Sequence, residues 1–199
     1  PPFQCVPKSS CVQEGANGAE LRAALSAAQC GCEIIMNAGP YEGDFSVDRT
    51  CTAASPLIIR GSSGAVIRSG RLTLAGSYIY AVGTNHQNAA GKSEQESTLA
   101  IEGGTNNKVI GCFIRNHATK AAPYQMGIVI RPGSKRTEIA YCDISNSFDP
   151  AVAEGVGHMG WAFSVSAISM SGNPAGNPST GTHIHHNFIH DMAYGHYPY

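Results

Sequence analysis

Three segments in the second half of the chain superpose: Val109-Ile110-Gly111-Cys112-Phe113-Ile114, Ile139-Ala140-Tyr141-Cys142-Asp143-Ile144 and Ile184-His185-His186-Asn187-Phe188-Ile189. Each opens on an aliphatic residue, places Cys or Asn three positions later, and has Ile two positions after that. Asn116, Asn146 or Asp191 follows within two residues. An apolar stretch and a turn precede each segment, at Leu99-Ala100-Ile101, Ile128-Val129-Ile130 and Ala167-Ile168-Ser169-Met170. The period is 30 residues from Val109 to Ile139 and 45 from Ile139 to Ile184, with the added length in 147–163 and 173–180. Short strands recurring at such a period stack coil on coil as a solenoid. Parallel strands of successive coils are then about 4.8 Å apart. Cys112, Cys142 and Asn187 should form one internal column at a bend, where backbone polar groups need partners. An antiparallel sandwich gives no reason for such register between distant strands.

The first half fits the same architecture. Residues 17–29 read NGAELRAALSAAQ, with Asn17 placed to N-cap and Glu20 to complete the cap. Leu21, Ala24, Leu25 and Ala28 fall on one face of that helix. Short strands follow at 33–36, 56–60, 65–67, 72–74 and 78–80, punctuated by Gly, Ser and Asn. No second helix separates them, which argues against a doubly wound α/β sheet. The expected class is therefore all-β: a right-handed parallel β-helix with an N-terminal capping α-helix. Residues 1–33 are expected to form a disulfide-rich segment and cap, and 34–199 the solenoid. The chain stops soon after a typical strand with no closing helix, so the solenoid is expected to continue past residue 199, through further coils or a second chain.

Seven cysteines suggest an oxidising compartment, since five crowd into the first 51 residues and no Cys-x-x-Cys pair offers zinc spacing. The expected pairs are Cys5–Cys11 and Cys51 with Cys30 or Cys32, leaving Cys112 and Cys142 as stacked free thiols. The chain opens Pro1-Pro2 without an initiator Met and reads as a mature, secreted chain. A net charge of −1 gives no basic stripe for nucleic acid, and no apolar run reaches membrane-spanning length.

The chain resembles right-handed β-helix carbohydrate-active proteins, most closely the alginate lyase and chondroitinase B family. The resemblance is carried by Leu21-Arg22-Ala23-Ala24-Leu25, by Ile34-Ile35-Met36-Asn37-Ala38-Gly39-Pro40-Tyr41, by Leu57-Ile58-Ile59-Arg60-Gly61 and by Ser69-Gly70-Arg71-Leu72-Thr73-Leu74. It implies a lyase that cleaves uronate-containing glycans by β-elimination. The family's catalytic Lys and Arg and its calcium-binding acidic groups sit in later coils and do not map onto positions here.

Such chemistry needs a cation at the uronate carboxylate, a base to take the neighbouring proton, and an acid for the leaving oxygen. The longer loops, 117–126 and 147–163, are expected to stack on one side after the third strand of each coil, and to wall a groove for an acidic polysaccharide. Arg131 is the expected carboxylate ligand, Lys120 or His158 the base, and Tyr124 the acid. Glu102, Trp161 and Glu154 would complete substrate binding, and Glu102 with Glu154 could hold calcium, although no dense acidic cluster demands a cofactor. A glycoside hydrolase would use Asp149 with Glu154 as its paired carboxylates, and a non-catalytic glycan-binding or structural solenoid is the third reading. His183, His185, His186, His190 and His196 fall within 14 residues. His183 and His185 point the same way in a strand, as a metal pair would. No Glu or Cys has ligand spacing, so the reading adopted is an exposed rim and no metal site.

Overall fold

The structure is a computed structural model and describes residues 11–87, 97–118, 125–148, 160–165 and 178–191. Its strands fall into three parallel sheets, which the chain visits in turn. Sheet A runs β1 (Cys11–Gly15), β2 (Cys32–Met36), β5 (Leu57–Gly61), β8 (Ile79–Val82), β11 (Lys108–Ile110), β14 (Glu138–Ala140) and β17 (His183–His185). Sheet B runs β3 (Gly39–Glu42), β6 (Ala65–Arg68), β9 (Asn85–Gln87), β12 (Phe113–Ala118), β15 (Asp143–Phe148) and β18 (Phe188–His190). Sheet C runs β4 (Phe45–Val47), β7 (Leu72–Leu74), β10 (Ser97–Ile101), β13 (Gln125–Ile130) and β16 (Gly160–Val165). Each coil from β2 to β16 is thus one strand of A, one of B and one of C, and β17 and β18 add a further strand to A and to B. The all-β parallel β-helix is the observed fold.

Strand alternation writes the core as columns. In sheet A the inward column is Ile34, Ile59, Ala81, Val109, Ile139 and Ile184. In sheet B it is Tyr41, Ile67, His86, Ile114, Ile144 and Ile189. In sheet C the column Phe45, Leu72, Leu99, Ile128 is paralleled by Val47, Leu74, Ile101, Ile130. Each fully buried Ile or Leu contributes roughly 1.5–3 kcal/mol, and stacking like on like leaves no gap between coils. A one-residue slip would turn a whole column outward.

The bend from sheet A to sheet B explains the repeat. A left-handed residue turns the chain, at Gly83, Gly111, Tyr141 and His186. The next residue points inward and forms the expected column, which the structure lengthens to Thr84, Cys112, Cys142 and Asn187. Thr84 Oγ1 is 3.1 Å from Cys112 Sγ, and the Cys142 thiol donates to Ala140 O at 3.4 Å. Asn187 Nδ2 donates to Ile139 O at 3.0 Å, while its Oδ1 accepts from Cys142 N at 2.9 Å. These bonds satisfy backbone groups that a sharp bend strands inside.

The helix α1 (Gly18–Ala27) caps the first coil, burying Leu21, Ala24 and Leu25. Asn17 Oδ1 accepts from Ala19 N and Glu20 N at 3.0 Å, and Glu20 Oε2 accepts from Ala16 N at 2.9 Å, closing the cap from both sides. Ahead of the helix, β1 already pairs with β2 in parallel, so the N-terminal segment contributes a rung of its own to sheet A.

Cys30 is bonded to Cys51. Cys32 is disulfide-bonded too; with Cys30 paired to Cys51 and Cys112 and Cys142 free, that bond is incompatible with the expected Cys5–Cys11 pair. Cys112 and Cys142 are free and buried, as expected.

One further sequence expectation is corrected. The strand of sheet C in the fifth coil is Gly160–Val165, with Ile128 opposite Phe163, whereas 167–170 lie outside the described residues. The long connections 119–124 and 149–159 follow the sheet B strands β12 and β15, which are the third strands of coils counted from sheet C, where the repeat placed them.

Candidate functional site on the outer face of sheet B

The outward positions of sheet B form two rows across the coils. Asn85, Phe113, Asp143 and Phe188 make one row; Gln87, Arg115, Ser145 and His190 make the next. Phe113 is 45% exposed and Phe188 64%, unusual for large apolar rings on a regular sheet. They stand two coils apart, about 9.6 Å along the axis at the usual strand spacing. Outward positions of β10 and β13 in sheet C are closed by contrast: Thr98, Ala100 and Val129 are buried.

Charged groups lie between the two rings. Arg115 grips Asp143 with two prongs, Nη1 to Oδ1 at 2.9 Å and Nη2 to Oδ2 at 2.7 Å. His190 Nε2 lies 2.8 Å from Asp143 Oδ1, and its Nδ1 lies 2.8 Å from Asp191 Oδ2. The His190 and Phe188 rings stack at 4.5 Å, and the Arg115 guanidinium sits 5.8 Å from the Phe113 ring centre. Hydrogen bonding to Arg115 holds the Asp143 carboxyl below the usual carboxylate range. The bond from Asp143, joined by that from Asp191, raises the His190 imidazole above its ordinary value. A carboxylate, a guanidinium and an imidazole biased toward its cationic form thus sit beside two exposed rings.

The residues proposed from sequence divide. Arg131 and Glu102 come together, Nε to Oε1 at 3.9 Å, at the corner where sheet C turns into sheet A. That corner is firmly built, since Arg131 O accepts from Ser134 Oγ at 2.8 Å and Ser179 Oγ at 2.7 Å. Lys120, Tyr124, Glu154 and His158 lie outside the described residues, as does Asp149. The segments carrying them enter sheet C at the opposite end of its strands from Arg131. Along β13 (Gln125–Ile130) that separation is about 17 Å at ~3.3 Å per residue. Trp161 lies on β16, opposite Met126. Among the described residues no three His, Cys, Asp or Glu side chains converge as a metal site. Glu102 is engaged with Arg131, and Glu154, its expected partner around calcium, lies outside the described residues. Sequence reasoning missed Arg115 and Asp143, although the repeat aligned Phe113, Asp143 and Phe188 as one outward column.

The solenoid is matched by solved structures of low sequence identity. An alginate lyase from Paenibacillus sp. str. FPU-7 superposes with a TM-score of 0.50 at 16% identity, over 91% of this chain and 67% of that one. The fold is that of polysaccharide lyases. Pectate lyase Pel9A superposes with a TM-score of 0.58 at 14% identity, over 88% of this chain and 46% of its own. This chain therefore spans two thirds of one lyase and less than half of the other. No protein-family model matches it, and no curated protein does.

Proposed function

We propose that this chain is a secreted polysaccharide lyase that cleaves uronate-containing glycans by β-elimination, with the glycan lying along the outer face of sheet B. The observation that carries the reading is the exposed pair Phe113 and Phe188 flanking Arg115, Asp143 and His190. Aromatic faces stack on sugar rings, and paired charges serve the hydroxyls and carboxylates between them. A chain of linked pyranoses running along the solenoid meets one coil after another at a spacing close to its own repeat.

In this reading the uronate carboxylate meets Arg115 and cationic His190, which stabilise the charge that grows as the neighbouring C–H ionises. The segments 119–124 and 149–159 leave this face at the ends of β12 and β15 and supply the proton-transfer groups: Lys120 or His158 takes the proton, and Tyr124 delivers one to the leaving oxygen. Glu154 and Trp161 help to hold the glycan. Arg131 with Glu102 forms a brace at the far edge of sheet C. The disulfides accord with an extracellular setting.

The test is a glycan panel containing alginate, polygalacturonate and glucuronate polymers, with neutral glucans as controls. Unsaturated products absorbing in the ultraviolet are expected from a uronate polymer. New reducing ends without that absorbance would replace the lyase with a hydrolase. Binding without any cleavage would leave a glycan-binding solenoid.

A further inference from the structure

We propose that His185 and His186 form a binding site for a divalent transition ion of the nickel and copper(II) class, on the ridge where sheet A turns into sheet B. The two Nδ1 atoms lie 2.8 Å apart. Two imidazole nitrogens each about 2.0–2.1 Å from one ion are about 2.9 Å apart when they bind at a right angle, and about 3.3 Å at the tetrahedral angle. The observed separation is close to the right-angled bite, which belongs to tetragonal and octahedral sites, and from ring centres 5.0 Å apart a turn of the two rings about their side-chain bonds aims both lone pairs at one ion.

The surrounding groups prepare the ring nitrogens. Glu138 Oε1, one coil back in sheet A, sits 3.2 Å from His185 Nε2. That bond assigns the His185 proton to Nε2 and leaves the Nδ1 lone pair facing His186, as carboxylates do behind metal-bound histidines. Glu138 is itself anchored, with Lys108 Nζ 2.8 Å from its Oε2. Although partial burial pushes the other way, this ammonium holds the Glu138 carboxyl below its usual range. His186 stacks on Tyr141 with ring centres 5.2 Å apart, and His183 lies 4.5 Å from His185 on the other side. Each ring therefore has an aromatic neighbour beside it.

In the metal-free state the shared hydrogen belongs to His186 Nδ1, because His185 spends its own on Glu138. Binding moves that hydrogen to His186 Nε2, so both Nδ1 lone pairs face the ion and no proton is released. Two protein ligands leave positions open to water or to oxygen donors of a second ligand. Imidazole nitrogen selects the transition ion over calcium, which takes oxygen. The site is independent of the lyase reading, because it is measured without glycan.

The experiment titrates the metal-free full chain with copper(II) chloride and nickel(II) chloride near neutral pH by calorimetry, with copper electron paramagnetic resonance on the same samples. One equivalent is expected, with hyperfine coupling to two imidazole nitrogens. His185→Ala and His186→Ala should each weaken binding at least tenfold. Glu138→Gln should weaken it less, and His196→Ala should leave it intact. Calcium chloride should give no saturable heat sensitive to these substitutions. His186 is exposed, so its variant should fold, and an unchanged circular dichroism spectrum checks this. No binding, or binding that survives both single substitutions, overturns the proposal, as does a signal that requires His196.

Discussion

His86 Nε2 lies 2.8 Å from Thr84 Oγ1, with both residues fully buried in the third coil. The same hydroxyl meets Cys112 Sγ at 3.1 Å, so a polar thread runs from His86 through Thr84 into the thiol pair. His86 occupies a position filled by Ile67 and Ile114 in the neighbouring coils. Burial pushes its pKa down to about 4, against an ordinary 6.5. Between these values the unfolded chain binds a proton that the folded one refuses, so stability falls as pH drops through that window. The full shift corresponds to about 3 kcal/mol. Urea unfolding of the wild type should weaken by that order from pH 7 to pH 4, and His86→Gln should flatten the dependence. Parallel pH curves for the two proteins would refute the assignment.

The Cys112 and Cys142 thiols should be silent in the native state. The adjacent Cys112 thiol, together with burial, pushes the Cys142 thiol well up, and both sulfurs are shut away from solvent, so a reagent reaches neither in the folded chain. A thiol reagent should label neither residue in buffer and both in denaturant. Rapid labelling of the native protein would mean that the column is open to solvent.

Gly76 should tolerate no side chain. A Cβ there would sit 1.8 Å from Arg49 O, and a Cβ on Gly104 would sit 1.8 Å from Gly76 O, because the turns from sheet C to sheet A stack backbone on backbone. Gly76→Ala should cost about 3 kcal/mol. Gly103→Ala meets nothing within 4 Å and carries only the left-handed backbone cost, roughly 1–2 kcal/mol. Chemical denaturation of both variants measures the contrast; equal losses would show that the close approach relaxes.

Arg115→Ala and Arg131→Ala together decide which face carries the chemistry. The sheet B reading expects Arg115→Ala to lower kcat/KM on the active uronate polymer at least tenfold, about 1.4 kcal/mol of transition-state stabilisation. Loss confined to Arg131→Ala would move the site to the corner of sheets C and A.

His190 should give glycan binding a pH dependence. Its raised pKa keeps it cationic above the ordinary histidine range. The ion pairs it makes with Asp143 and Asp191 last while the imidazole is cationic and vanish as pH rises through that raised value. Affinity for an acidic oligosaccharide should fall over the same interval, and His190→Gln should remove the dependence. A pH-independent affinity in the wild type would take His190 out of the binding surface.

Much of the fold was legible in the chain itself. The spacing of Val109, Cys112 and Ile114, repeated at Ile139, Cys142 and Ile144, marks inward positions on two strands and the bend between them. Burial alternates with period two, and a residue that must satisfy a bend is short and polar, so one register explains both. The capping helix was readable because Asn17 and Glu20 act within one turn. Local rules of this kind need no knowledge of distant residues.

Tertiary structure alone decided which side chains meet. Arg115 and Asp143 are 28 residues apart, and Asp143 and His190 are 47 apart; only the stacking of one coil on the next brings them within 2.9 Å. Glu138 reaches His185 in the same way, which is why ligand spacing along the chain offers no Glu beside the histidines and only Asp191 next to His190. The coil lengths set these contacts: an insertion between two strands changes the sequence separation of stacked residues but not their distance in space. The sequence therefore determined the inward columns, where chemistry is periodic, while the outward partnerships depended on how many residues each coil spends between sheets.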